Sequence, residues 1–255
     1  MSSPSHDMEE RGWCVLDPPI APDLVSALKR ELDVAYDACR ALQIANGLPQ
    51  TEGTAHHLVC FGGAFVTLLE QFAAHAFIQS FFGSHYILNT YGAVLNEPGT
   101  TAYVGNVHRD LRSHSGGLPL MMQLIVMLDP FTEDNGATYL LSGSHRRPDK
   151  PADEEFFARA ERAIGAAGCV IAFNSNLWHA AGANRSSTRR RGLTIAFTRP
   201  FMKQQLDYPR ALGYAAADAL SPAMRQVLGY NARVPESLEE WYQPPERRMY
   251  RWDQG

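Results

Sequence analysis

At Gly83 the chain changes character, and that change limits the folds open to it. Before it, apolar residues recur at helical spacing. Pro22 suits the first turn of a helix running to about residue 42, with Leu24, Leu28, Leu32 and Tyr36 along one face. Phe65, Leu68, Leu69 and Phe72, then Phe77, Phe81 and Phe82, continue the pattern until Gly83 ends it. After Gly83 come short β-rich runs parted by turns, predicted at 86–95, 103–111, 120–128, 137–141, 169–174 and 192–197. Residues 13–16 add a strand near the N-terminus, closed by Asp17-Pro18-Pro19. A helical third followed by short strands predicts a mainly β fold with flanking helices, a sandwich or barrel buttressed on the outside.

The expected organisation is one domain over 1–255. It comprises a frayed polar tail at 1–11, a mostly helical buttress at 12–83, a β core at 84–200 and a C-terminal helix and tail at 201–255. An amphipathic helix is expected at 153–164, inserted between strands. Glycines at 116 and 117 make the loop 112–117 a candidate lid, in which Arg112 or His114 would touch substrate. The aromatic segment around Trp241-Tyr242 is expected to pack on its own domain.

Composition narrows the partners. The net charge is −4, and the arginine runs at 189–191 and 247–248 are local, so neither nucleic acid nor an anionic membrane is expected to bind. Four scattered cysteines without a C-x-x-C pair suit buried thiols in a reducing compartment. With no signal-like apolar region and no bilayer-length apolar run, a soluble cytoplasmic protein is the expectation.

Three elements carry chemistry. In His108-Arg109-Asp110, residues two apart on a strand share a face, so an imidazole and a carboxylate stand side by side, a pair suited to a divalent metal. With nine His and 13 Asp in 255 residues, about half of one H-x-D is expected by chance, so the pair alone decides nothing. His179 follows the apolar run 168–173, where a ring can enter a pocket or simply be a satisfied core histidine. Arg189-Arg190-Arg191 opens a strand; guanidinium matches carboxylate bidentately, but a solvated hairpin end reads the same way.

Their order is more informative than any member. It resembles the phytanoyl-CoA dioxygenase family of Fe(II)/2-oxoglutarate oxygenases. The matching pieces are His108-Arg109-Asp110, Glu133-Asp134-Asn135-Gly136, Ser142-Gly143-Ser144-His145, His179 with Asn184, and Arg190 eleven residues after His179. Pro200-Phe201 and Leu228-Gly229-Tyr230 look like the family's later part, so the likeness covers roughly 12–230.

The resemblance implies a double-stranded β-helix core of the jelly-roll or cupin-like kind. It further implies iron held by His108, Asp110 and His179, and 2-oxoglutarate chelated to iron with its far carboxylate on Arg190. Arg189 and Arg191 are rivals for that role, because the strand register is not readable from sequence. His145 would be structural. Members often carry a hydroxyl residue two positions after the distal histidine; here that position is Ala181, and Gln123 is the candidate substitute. Asp110 stands where halogenating relatives have a small residue, which favours hydroxylation of a small molecule of secondary metabolism by molecular oxygen, with succinate and CO2 as co-products. The alternatives are a cupin-like metal-dependent isomerase or hydrolase and a non-catalytic ligand-binding barrel. Retention of Arg190 weighs against both.

Overall fold

The computed structural model describes residues 3–99, 105–248, 251 and 254. A six-stranded antiparallel sheet forms the centre, in the order β1-β7-β4-β9-β3-β2. Its strands are β1 (Trp13–Leu16), β2 (Thr54–His56), β3 (Ile87–Asn96), β4 (Met121–Met127), β7 (Val170–Asn174) and β9 (Arg190–Thr198). A second antiparallel sheet, β6-β5-β8, is short: β5 (Tyr139–Leu140), β6 (Glu161–Arg162) and β8 (His179–Ala180).

Strand alternation sorts the large sheet's residues onto two faces. One face carries Leu88, Tyr91, Ala93 and Leu95 of β3, Met122, Leu124 and Val126 of β4, and Leu193, Ile195 and Phe197 of β9, all within the main core. Against it pack α2 (Pro22–Ala45), α3 (Gly63–Glu70) and α4 (His75–Phe82). Helix α2 presents Val25, Leu28, Leu32 and Ala35, while Leu24 and Tyr36 reach the core's edge. Leu28 and Leu32 are fully buried, so each contributes about 2 kcal/mol over an exposed position. The opposite face packs partly on the small sheet, through Ile125, Ile171 and Phe173 against Ala137, Leu140 and Leu177. The rest of that face is left free as a cavity floor.

Several expectations need correction. Residues 4–10 are not frayed: Pro4–Glu10 form a helix, α1, with Ser3 as its N-cap and Met8 buried in the main core. Within the mostly helical segment 12–83, β1 forms where a strand was expected, and β2, which was not expected, joins it as the other edge strand of the large sheet. The apolar run 65–82 divides into α3 and α4 because His75 intervenes: its Nε2 donates to Leu69 O, a carbonyl that α3's own ladder leaves open, and its Nδ1 accepts from Tyr86.

The strand expected at 103–111 does not form. Residues 103 and 104 lie outside the described residues, and beyond them only His108 makes a bridge, to His179. The helix expected at 153–164 stops at Arg159 (α5, Asp153–Arg159), and the chain turns extended to pair Glu161–Arg162 with β5, leaving Ile164 exposed. The C-terminal part holds three short helices, α6 (Tyr208–Leu212), α7 (Pro222–Val227) and α8 (Leu238–Trp241), rather than one. Trp241 and Tyr242 are 51% and 77% exposed, so they do not pack as expected. All four cysteines are free, yet only Cys14 is buried and Cys60 is exposed. Among the described residues no helix is long and apolar enough to cross a membrane.

Candidate metal centre and carboxylate pocket

The cavity floor is written in the register of the large sheet. One row across it reads Thr90, Ala196, Gln123, Phe173; the next reads His56, Gly92, Thr194, Ile125. These side chains line a cavity of about 530 Å³. His108, Asp110, His179 and Arg190 line the same cavity.

His179 arrives on β8, and His108 joins it through paired backbone bonds, His108 N to His179 O at 3.0 Å and His179 N to His108 O at 2.9 Å. A single bridge therefore does what a longer strand was expected to do. The ring centroids stand 4.2 Å apart. Each ring is pinned the same way: Nδ1 of His108 donates to Asn106 O at 2.7 Å, and Nδ1 of His179 to Leu177 O at 2.9 Å. A backbone carbonyl can only accept, so Nδ1 carries the proton and Nε2 keeps its lone pair.

Both Nε2 atoms face Asp110 Oδ1, at 3.8 Å from His108 and 3.6 Å from His179. Those separations are too long for hydrogen bonds. They surround a space instead, and one donor atom from each of the three residues lies within 4.8 Å of the others. Asp110 Oδ2 is buried without a partner among the described residues. Burial holds the His179 imidazole below its ordinary pKa, the neutral form a metal requires. Two imidazole nitrogens and one carboxylate, with the remaining side open to a cavity, match the donor set of a non-haem ferrous site.

The register separates the three arginines. Arg190 shares the inward face with Gly192, Thr194 and Ala196. Arg191 turns to the sheet's other, helix-packed face, to Asp129 (Nε to Oδ2, 3.0 Å) and Asp33, and Arg189 pairs with Glu97 and Asp33. Arg190 is 3% exposed; its Nη2 donates to Gly136 O at 2.9 Å and its guanidinium lies 4.1 Å above the Phe131 ring. Desolvation lowers its pKa to about 10, which still leaves it protonated at neutral pH. It has no ion pair among the described residues, and a buried charge without a counter-charge is costly. The Asn-Gly stretch seats it. Gly136 adopts φ +84°, and a Cβ there would lie 2.3 Å from Asn96 Nδ2 and 2.4 Å from Gly182 O, so only glycine can deliver that carbonyl. Asn184 ties the same region, donating to Asn96 O at 2.7 Å.

Gln123 is 8% exposed and points into the cavity, as expected of a polar residue on an apolar strand. Ala181 lines the cavity without offering a hydroxyl, whereas Thr138, at the end of the Asn-Gly motif, and Thr194, not singled out in the sequence, offer one each. Thr194 was findable: it has the same parity as Arg190 on β9. His56 and Arg112 also line the cavity; His114 does not, donating instead to His145 O at 3.1 Å. His145 is remote from the cavity. Its Nε2 donates to Glu9 O at 3.2 Å, and its ring sits where a Cβ on Gly12 would be. His145→Ala is expected to cost about 1–3 kcal/mol in a denaturant melt while leaving metal affinity within twofold.

Residues 8–192 match the phytanoyl-CoA dioxygenase (PhyH) family. The chain belongs to that family. An uncharacterized protein of Mycobacterium tuberculosis is 43% identical over 149 residues, 58% of this chain and 54% of that one. Dioxygenase cdmA of Talaromyces verruculosus is 30% identical over 182 residues, 64% and 57% of the two chains. The chain thus spans little more than half the length of these relatives. Among solved structures, EctD from S. alaskensis, crystallised with 2-oxoglutarate and 5-hydroxyectoine, superposes with a TM-score of 0.61 at 19% identity, over 78% of this chain and 76% of EctD. That likeness is one of fold.

Proposed function

We propose that this member of the phytanoyl-CoA dioxygenase family is an Fe(II)/2-oxoglutarate-dependent dioxygenase that hydroxylates a small molecule, and that its two facing sheets are a double-stranded β-helix. The observation that carries the reading is the buried Arg190, without an ion pair among the described residues, in the same cavity as an open His-Asp-His cluster. A metal-only isomerase, hydrolase or binding barrel has no use for that charge; a dicarboxylate cosubstrate does.

His108, Asp110 and His179 would hold iron, and Arg190 would clamp the far carboxylate of 2-oxoglutarate, with Gln123 or Thr194 as a further donor. When bound, the pair supplies the oxidising chemistry: one atom of O2 goes to the substrate C–H bond and the other to succinate as CO2 leaves. The chain's own share is positioning. The Nδ1 bonds to Asn106 and Leu177 fix both imidazoles before metal arrives, and Phe173, with its ring centroid 4.8 Å from that of His179, keeps water from one side. Four free cysteines suit work in the reducing cytoplasm.

One anaerobic titration tests this. Adding Fe(II) and then 2-oxoglutarate should raise the visible charge-transfer band of their chelate, and admitting air should yield succinate. A protein that gives neither band nor succinate is not this enzyme.

A further inference from the structure

The charges of the cavity do not balance once iron and cosubstrate are placed in it. The ferrous ion and Arg190 together offset Asp110 and the two carboxylates of 2-oxoglutarate. Two guanidinium groups are left over, Arg109 and Arg112, and Asp110 is the only carboxylate among the described residues lining the cavity. Arg109 is already committed, donating to Pro148 O at 2.9 Å and lying 5.1 Å from the Trp178 ring. Arg112 is different. Exposed on the loop that follows Asp110, its side chain makes no hydrogen bond or ion pair to any described residue.

On the edge strand β2, the His56 side chain lines the same cavity and likewise makes no hydrogen bond to a described residue. The floor beside it is kept low by Gly92. A Cβ there would stand 2.9 Å from Ala55 O, 3.1 Å from Thr194 Oγ1 and 3.7 Å from His56 Cδ2. The backbone of Gly92 is ordinary strand, so what the position requires is room. A guanidinium on a loop needs no partner in water; here it overlooks a concave site with an excess of positive charge, where such a field draws and orients an anion.

We propose that the substrate carries an anionic oxygen group, a carboxylate or a phosphate monoester, held by Arg112 and His56 in the part of the cavity beyond the iron ligands, with its body over Gly92. This rests on the cosubstrate reading above and adds a substrate class to it.

Three small probes with one aromatic body separate the possibilities: benzoate, phenyl phosphate and benzamide. Each is titrated calorimetrically into the whole chain, loaded anaerobically with Fe(II) and saturating 2-oxoglutarate. At least one anion should bind about tenfold or more tightly than benzamide, as a charge-assisted pair implies, and the better anion names the group. Arg112→Gln should erase the preference and His56→Gln reduce it about threefold to tenfold, while the charge-transfer band persists in both. Anions binding no better than benzamide, or a preference surviving in Arg112→Gln, overturns the proposal. So does anion binding that fades as 2-oxoglutarate is raised, which would place the anion at Arg190. Absence of the band sinks the cosubstrate reading and this one with it; a band without anion preference sinks this one alone.

Discussion

His179→Ala should erase the Fe(II)–2-oxoglutarate charge-transfer band and reduce succinate formation to the rate of free iron. The ring is one of three clustered donors, and neither His145, held by Glu9, nor His114, held by the carbonyl of His145, is placed to replace it. The variant should still fold, because β8 is also held by the backbone bonds that its amide and carbonyl make to His108. Circular dichroism resembling the parent, together with a silent titration, is the expected pair of results. A persistent band of parental intensity would remove His179 from the metal centre.

Arg190→Met should raise the dissociation constant for 2-oxoglutarate by on the order of a hundredfold or more, with iron affinity little changed. Two charge-assisted hydrogen bonds are worth about 1.5–3 kcal/mol each, and 1.4 kcal/mol is tenfold. Methionine is close in shape and removes a costly buried charge, so stability should hold or rise. Arg191→Met is the informative contrast. Arg191 lies on the helix-packed face, paired with Asp129, so its loss should lower stability and leave cosubstrate affinity unchanged. Asp129 gains as much from the pair: burial alone would raise its carboxyl, but Arg191 and Lys29 outweigh that and hold it low. If the two variants exchanged phenotypes, the assignment of the strand's inward face would be wrong.

Legibility in the sequence followed the range of the forces involved. Where a pattern is repeated along one element, as with Leu28 and Leu32 of α2 or the apolar run of β4, composition and period located the element within a few residues. Whether Arg189, Arg190 or Arg191 faces inward is a question of register, and register is fixed by pairing with β3 and β4, residues far away in the chain. The division of α3 from α4 depends on His75 finding Leu69 O and Tyr86, which no periodicity announces. His56 was missed for the same reason: β2 is three residues long, and only its place beside Gly92 puts an imidazole on the cavity. The ordered set of His108, Asp110, His179 and Arg190 was visible because a resemblance carries tertiary information that local spacing does not.

Helix α1 has a reach out of proportion to its seven residues. Glu9 O receives His145 Nε2 and Arg146 Nη2, Arg11 O receives Gly143 N, and Trp13 Nε1 donates to Ser142, so the 142–146 turn rests on the first turns of the chain. That turn in its own right supports the residue next to the distal histidine, since Ser144 Oγ accepts from Trp178 N at 3.0 Å and Leu141 N donates to Trp178 O at 3.1 Å. Deleting the first eleven residues would remove the His145, Arg146 and Gly143 links together, where His145→Ala removes one, and the proposed ligand His179 would be loosened through the turn and Trp178, so that iron affinity would report damage done far away in the sequence.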